Sequence, residues 1–400
     1  MMKKIIAVIL SLALIFTFAA CDTQNNNGEE TDPTETQEQG EGTEVTEEGE
    51  QGEGEQEGEG EQEGQLSPIN GLLGNTTELS LAAAPSVPVG EGVSKFRELA
   101  EEYSTGTLTI RENTDESLGD DKERLKKVMD GELDITIGLS KNFASTIKDL
   151  HLFDIYYLFE SKEEVYDVAL SKEMVDALEA SFEKRGLKCL SLWGNGFSEL
   201  STNKKEVRKP KHLKGLKIAT SDKKIDKAAW KAFGAKPVGM NLEDRAEAIE
   251  SKKIVAQEST LEAILNGELQ NLQKYCIKTD HLYSPYVVVM NLDKFNSLGE
   301  FQQNAIIESV AYARNIELER CDSYNKYALD QIEKSEMEIV ELTEKQMKAF
   351  VKKAKKAKTK TKAKKLMKKP ELVTYLEDKL EVYRIESATE PEEEKVDFGD

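Results

Sequence analysis

The sequence predicts an α/β protein whose body folds as two lobes. Helical and strand periodicities alternate through the first half of that body, and the alternation resumes in the second half. Once the charged tails are set aside, about 320 of the 400 residues remain, more than one small core needs.

Taken in order, Glu78 to Ala83 alternates as a strand, and the body begins near Thr77. Glu91 to Tyr103 sets Val93, Phe96, Leu99 and Ala100 on one helical face, ended by Thr105-Gly106. Leu108 and Ile110 open a second strand. Asp120 to Met129 is a helix with Gly131 just beyond, and Leu133, Ile135 and Ile137 alternate again. Glu163 to Lys184 reads as one long amphipathic helix stopped at Gly186, and Leu187 to Leu192 as a strand. After Pro210 and Gly215, Leu216 to Ala219 is a strand, Lys224 to Phe233 a helix ended by Gly234, and a further helix runs from about Asn241 to Ser251. Tyr286 to Met290 is a strongly apolar strand. No Gly or Pro lies between Gly299 and Pro370, so Phe301 to about Lys334 reads as a single long helix. Glu338 to Leu342 alternates, and Thr343 with Gln346 forms a capping box for the next helix.

The charge is uneven. The formal net charge is −22, yet residues 22–65 carry 17 acids and no base, and residues 386–400 carry seven acids and one Lys. Residues 66–385 are left at about −1, which argues against a globally basic nucleic-acid binder. The Glu/Gly/Gln/Thr-rich stretch cannot bury enough apolar surface to offset its ordering entropy. Its Gly-Glu repeats have neither the preceding strand nor the following helix that a phosphate loop needs. It reads as a solvated tether of about 40 Å reach, against a radius of gyration of roughly 20 Å for the body.

Residues 1–20 read as a signal peptide. Lys3 and Lys4 precede an apolar run from Ile5 to Ala20 whose helix would reach only about 24 Å, short of a membrane span. Phe18-Ala19-Ala20-Cys21 resembles a bacterial lipobox, apart from Phe18 in place of the usual Leu. This implies that Cys21 is diacylated and becomes the mature N-terminus. The competing reading is an ordinary cleaved leader with an unmodified Cys; the coincidence of Cys21 with the end of the apolar run favours lipidation.

Cys189, Cys276 and Cys321 are an odd set with no framework spacing, and read as small buried hydrophobes. His151, His212 and His281 lie far apart and read as isolated structural or surface residues, so no metal site or cofactor is expected. Lys345 to Lys369 holds 13 lysines and no acid. With only Phe350 as an aromatic and no Arg, base stacking and bidentate phosphate grip are poorly supported. A solvated helix face is the plain reading; contact with anionic lipid, cell-wall polymer or the chain's own tether is the alternative.

Several motifs stand in a specific order. Ser117-Leu118-Gly119-Asp120-Asp121-Lys122-Glu123 is followed by Asp130-Gly131-Glu132-Leu133-Asp134. Then come Trp193-Gly194-Asn195-Gly196-Phe197, Pro210-Lys211-His212-Leu213-Lys214-Gly215-Leu216-Lys217-Ile218, Gly234-Ala235-Lys236-Pro237-Val238-Gly239-Met240 and Ala256-Gln257-Glu258. Over about residues 77–385 this resembles the DctP-like solute-binding proteins of tripartite ATP-independent periplasmic (TRAP) transporters. The resemblance implies a two-lobed periplasmic-binding-protein-like fold, with a ligand cleft between the lobes and a long helix spanning both. By analogy, lobe one is 77–196 plus 285–324, lobe two is 197–284 plus 325–385, residues 21–76 are the lipidated Cys and tether, and 386–400 the acidic tail.

The departures from the family pattern bear on the ligand. Members usually bind an organic acid through an Arg that ends the K-I-R motif; that position is Ala219. A second family Arg, after G-F, is Ser198. Ser259 and Thr260 replace the Asn-Pro after Q-E, Val255-Ala256 replace the Asp-Gly before it, and Tyr156 stands where the family has a cleft Pro. Losing two charge-assisted bonds without replacement would weaken acid binding by roughly 3–6 kcal/mol, or about 10²–10⁴-fold. The ligand is then atypical, or another cation supplies the charge (Arg111, Lys141 and Arg245 are candidates), or the cleft binds no small molecule. Tyr156, Tyr157, Trp193, Asn195, Ser198, Met240, Glu258 and Ser259 would line the cleft, a polar and aromatic wall suited to a neutral polar or cyclic compound. Plain packing competes for Trp193 and Met240, gap-filling for Ser198 and Ser259, and a partner within lobe two for Glu258.

The resemblance implies an extracytoplasmic protein, held to the membrane by Cys21 at the cell surface or in the periplasm, that delivers a small molecule to TRAP-type permease subunits. A lipoprotein of the same fold acting as a sensor or interaction module is the alternative. No Ser-His-Asp order, metal cluster or phosphate loop supports an enzyme, and no nucleic-acid partner is expected.

Overall fold

The computed structural model describes residues 76–389. The leader, Cys21, the tether and the tail from residue 390 lie outside the described residues. Glu386 to Thr389, expected in the acidic tail, are instead the end of a helix, Glu371–Thr389.

Two sheets organise the chain. The first contains β1 (Thr77–Ala83), β2 (Leu108–Glu112), β3 (Ile135–Leu139), β4 (Leu187–Trp193) and a late strand, Tyr286–Asn291. β1 pairs in parallel with β2 and β3, and the late strand runs antiparallel between β3 and β4. The second sheet holds β5 (Phe197–Thr202), β6 (Lys217–Thr220), β7 (Lys236–Gly239), β8 (Ala256–Ser259), β9 (Tyr275–Tyr283) and, at its edge, Glu338–Val340. The late strand of the first sheet is β10 and this edge strand is β11.

Strand alternation decides which side each residue serves. In β10, Val287 and Val289 enter one core cluster while Val288 and Met290 enter the other. The strand is therefore apolar on both faces and reads as a continuous run. In the second sheet, Ile218 and Ile277 face one cluster while Ala219 and Cys276 face the opposite one. Helices cover both faces: α1 (Val87–Tyr103), α2 (Asp121–Asp130) and α3 (Lys172–Glu183) in the first half, and α4 (Lys224–Phe233), α5 (Arg245–Glu250) and α6 (Leu261–Asn266) in the second. α2 starts at a capping box between Asp120 and Glu123 and stops at Gly131, whose φ of 78° needs no Cβ.

The chain passes from the first sheet to the second between β4 and β5, and returns between β9 and β10. A third link is α7 (Glu300–Glu333). Its Ala305, Val310 and Ala313 pack in the first lobe, and its Ala328 and Ile332 in the second. The β4–β5 link lies tightly on this helix. A Cβ on Gly194 would stand 2.9 Å from Leu318 and one on Gly196 2.7 Å from Asn325, so a larger residue there would have to push those α7 side chains aside.

Three expectations are corrected, and one open point is resolved. Residues 163–184 are not one helix: a π-helical stretch, Glu164–Ala169, gives way to α3, because Ser171 adopts an extended N-cap conformation and its side chain accepts from the Met174 N–H. The helix expected from Asn241 begins at Arg245. The lysine-rich run, whose extent as helix the sequence leaves open, is two helices, α8 (Glu344–Ala357) and α9 (Thr359–Leu366), with Lys358 between them at φ 55°. Finally, α9 and α10 (Glu371–Thr389), expected in lobe two, carry Ala363, Val373 and Leu376, with Met367 from the turn between them, into a first-lobe cluster with Leu150, Phe153 and Phe182. Asp149 anchors the turn between them, accepting from the N–H groups of Lys368 and Lys369, both at 2.7 Å.

Candidate functional site

Between the two sheets lies a seam of buried polar side chains. On the second lobe, β8 brings Gln257, Glu258 and Ser259 to it. The Glu258 carboxylate is the centre of a nest of donors. Trp230 Nε1 donates to it at 2.8 Å, Tyr156 Oη at 3.1 Å and Thr220 through its hydroxyl, while His281 Nε2 lies 2.8 Å away. Burial alone would raise its pKa. The bond and charge of His281, the Thr220 hydroxyl and the Arg245 charge outweigh it and hold the group at about 2. Tyr156 stacks on His281 with ring centroids 5.4 Å apart, and Trp230 meets the same imidazole edge-on at 5.2 Å.

The first lobe contributes Asp154. His151 Nδ1 lies 2.6 Å from its carboxylate, and Lys223 at the start of α4 reaches across from the second lobe to both oxygens, at 2.8 and 2.9 Å. A second cross-lobe contact runs the other way, where Glu262 of α6 accepts from the Val87 N–H at the first turn of α1, at 3.3 Å. Near the seam Asp226 is buried, with one oxygen bonded to the Ser221 hydroxyl and the other without a partner. Burial, then the charges of Glu258 and Asp154, push its pKa up to about 7.

Two cations complete the seam. Arg245 opens α5, is 6% exposed, and lays its guanidinium over β8. Nη1 donates to Gln257 Oε1 at 2.8 Å and to the Glu258 backbone carbonyl, and Nε is buried without a partner. Lys141 lies in the helical turn Ser140–Phe143 that follows β3. Burial, followed by the charge of Arg245, pushes its pKa down, and Glu258 and Asp226 act in the opposite sense.

The structure places the sequence-predicted wall residues differently from one another. Tyr156 meets Glu258 directly. Tyr157 follows it at φ 55°, its N–H donating to the His281 carbonyl at 2.9 Å and its hydroxyl buried without a partner. Ser198 is half-buried at a register shift of β5 against β9. Met240 is half-buried, its N–H bonded to the Thr220 carbonyl, and Ser259 accepts from Gln257 Nε2 at 3.0 Å. Trp193 does not line the seam. It is sealed into the first-lobe core, where its ring fills the space above Gly92. Asn195 is committed to the β4–β5 link: its amide donates to the Ser284 carbonyl at 2.9 Å, and its own N–H donates to Tyr283 Oη at 2.7 Å. Ala219 is fully buried against α5, in one cluster with Ala248 and Ile249.

Of the cations considered from sequence, Arg111 is excluded: it is exposed and paired with Glu78 at 3.1 Å. The reading of the histidines as isolated fails for His151 and His281, both of which hold seam carboxylates. Sequence reasoning missed Thr220, Lys223, Asp154, Trp230 and His281. Only the fold brings the ends of β6, β8 and β9 and the start of α4 together, so no local signal was available. Cys189, Cys276 and Cys321 are free and buried.

Comparison with known proteins gives this geometry a context. The family model described as DctP, bacterial extracellular solute-binding protein, family 7, matches residues 79–365. The 2,3-diketo-L-gulonate-binding periplasmic protein YiaO of Escherichia coli is 31% identical over 256 residues, 64% of this chain and 77% of its own. The C4-dicarboxylate-binding periplasmic protein DctP of Rhodobacter capsulatus is 28% identical over 244 residues, 60% of this chain and 73% of its own. The crystal structure of a TRAP periplasmic solute-binding protein from Ochrobactrum anthropi, with its C-terminus bound in the ligand-binding pocket, superposes with a TM-score of 0.71 at 27% identity, covering 78% of this chain and 98% of that one.

Proposed function

This chain belongs to the bacterial extracellular solute-binding proteins of family 7, and from that premise we propose that it captures a small molecule in the seam between its lobes and delivers it to a TRAP-type membrane permease. It is a binding protein, not an enzyme, and it works outside the cytoplasm. The observation that carries the reading is that both lobes turn polar groups toward one seam: Lys141 and Asp154 from the first, Arg245, Glu258 and Lys223 from the second. Two strand links and α7 join the lobes, the arrangement in which hinge closure buries a ligand.

Our division of the chain is lobe one at 77–196 plus 285–324 and lobe two from 197–284 plus 325–358, with residues 359–389 packed back on lobe one. The ligand-facing wall is Tyr156, Tyr157, Ser198, Met240, Glu258 and Ser259. Ser198 and Ala219 stand where the family places its acid-binding arginines, so recognition here is atypical. Lipidation of Cys21 would hold the protein at the membrane, with the acidic tether giving the body its reach to a permease.

A thermal-shift screen of the full chain in mild detergent tests the reading, over organic acids, sugars, amino acids and nucleosides. A compound at 100 times its dissociation constant adds about 2.7 kcal/mol to native stability. Uptake of any hit should fall when the gene is deleted. The absence of binding by every class, with uptake unchanged in the deletion strain, would sink the proposal.

A further inference from the structure

We propose that the outer surface of the second lobe built by α8, α4 and the turn Pro210–Leu213 is a docking face for an anionic phospholipid bilayer. The inference goes beyond the solute-binding reading and does not depend on which solute is bound.

Two stretches far apart in sequence make this face. Residues 345–369 carry 13 lysines and no acid, and residues 204–236 carry 12 basic residues and three acids. The fold packs them side by side. Phe350 of α8 meets Phe233 of α4 edge-on with ring centroids 5.9 Å apart, and Ala354 and Ala357 of α8 join the same cluster as Leu213 and Ile218. Arg208 Nη1 donates to the Glu341 carbonyl at 3.0 Å and fastens the earlier stretch to the residues that lead into α8. Both stretches thus cover the side of the second sheet that carries Ile218 and Ile277, while α5 and α6 cover the side of Ala219 and Cys276. On that opposite layer the exposed charges of α5 and of the turn before it are acids, Glu243, Asp244, Glu247 and Glu250. The second lobe therefore presents its cations on one side.

Helical spacing sorts α8 into two sides. Phe350, Ala354 and Ala357 are buried, and Lys352, Lys355 and Lys356, three and four residues apart, are exposed. Lys211 and Lys214 at the turn and Lys231 on α4 are exposed beside them. None of these six lysines has an ion-pair partner among the described residues. The acids within the two stretches are already committed: Glu206 pairs with Arg208, Asp222 pairs with Lys227, and Asp226 is buried. On α9 the balance differs, since Glu377 of α10 takes Lys360, so the face centres on α8. The chemistry selects a bilayer. Lysine is a hydrated point charge on a flexible stem, suited to diffuse contact with many phosphate headgroups, each residue adding about fivefold to binding. Nucleic acid calls for arginine forks and exposed aromatic rings. The single arginine of the two stretches, Arg208, is engaged, and Phe233, Trp230 and Phe350 are buried. The apolar side of α8 is spent in the core, so the helix rests on a surface without inserting.

Vesicle co-sedimentation tests this with the mature chain from residue 21, carrying Cys21→Ser so that neither leader nor acyl chain contributes. The chain should bind phosphatidylcholine vesicles only when they contain phosphatidylglycerol, and should be released by high salt. Lys352→Gln, Lys355→Gln and Lys356→Gln together should weaken binding at least about tenfold, and Lys211→Gln, Lys214→Gln and Lys231→Gln together should do the same. Arginine at the same positions should retain it. Lys122→Gln, Lys184→Gln and Lys326→Gln together make an equal charge change away from the face and should cost less than about threefold. The substituted lysines have no ion-pair partner to lose, and melting temperatures report that each variant is folded. No binding to phosphatidylglycerol vesicles at low salt overturns the proposal, as does an equal loss from the three scattered substitutions. Tighter binding to soluble poly(glycerol phosphate) or to oligothymidylate than to vesicles assigns the face to a polymer and overturns the bilayer.

Discussion

Lys223 at the start of α4 donates to both carboxylate oxygens of Asp154, at 2.8 and 2.9 Å, and so ties the second lobe to the first. Asp154 is almost fully buried, and Lys223 is about one-fifth exposed in its side chain. Burial works against the charged form of Asp154, but Lys223 and His151 outweigh it and lower its pKa. Removing Lys223 leaves a buried carboxylate with His151 as its remaining side-chain partner. Lys223→Met should therefore cost about 1.5–3 kcal/mol of stability by denaturant titration, and should widen the distribution of lobe separations seen by small-angle scattering. A variant as stable and as compact as the parent would mean that the pair only decorates the seam. Because the folded pKa is depressed, the contribution is present above the unfolded carboxylate value, near 4, and is lost as pH falls through the folded value.

Asp226 carries the opposite sign. Its pKa is raised to about 7 by burial and by the charges of Glu258 and Asp154. Between about pH 4 and 7 the folded state then binds more protons at this site than the unfolded state, so stability falls as pH rises across that window and levels off above it. Asp226→Asn retains an oxygen for the Ser221 hydroxyl and removes the titration. Melting temperature plotted against pH should show a flatter profile for the variant between pH 4 and 7, and higher stability at pH 8. Superimposable profiles would show that Asp226 is ionised at neutral pH.

Much of the frame was legible because it depends on local pattern. The capping box at Thr343, the Gly234 stop of α4 and the Gly- and Pro-free α7 are written in adjacent residues. The motif order from Leu118 to Glu258 led to the family. The short strands β7 and β8 were less visible, since four residues carry little periodicity. The seam was legible only in part. Tyr156 and Glu258 were read as neighbours of the cleft, but the donors to Glu258 come from β6, α4 and β9, more than twenty residues away in each direction. Trp193 was misplaced because an aromatic beside a glycine-rich link reads equally well as a cleft wall or as a core residue.

The β4–β5 link offers a test of hinge geometry. An added methyl at Gly194 would stand 2.9 Å from Leu318, 3.1 Å from the Glu317 carboxylate and 3.3 Å from Cys321, all on α7. The link also donates through the Gly194 N–H to Glu317 at 2.6 Å. Gly194→Ala should force the strand off the helix, at a cost of about 1–3 kcal/mol. Ligand affinity should fall with it, through a shift in the resting angle between the lobes. Unchanged affinity and stability would show that α7 yields easily at Leu318.

Lys358 separates α8 from α9 in the left-handed region, at φ 55°, and caps α8 by donating its N–H to the Lys355 carbonyl. For a residue with a Cβ that conformation is strained, whereas glycine adopts it freely. The side chain is exposed and has no ion-pair partner among the described residues, so its loss removes no contact. Glycine also gives the unfolded chain more freedom, which offsets part of the gain. Lys358→Gly should therefore stabilise the protein by up to about 1 kcal/mol, whereas Lys358→Ala should leave it near the parent value. Chemical denaturation of the two variants separates the causes. Stabilisation by alanine as well as glycine would point to relief of repulsion among the neighbouring lysines, and stabilisation by glycine alone to relief of backbone strain at the joint that turns α9 back onto the first lobe.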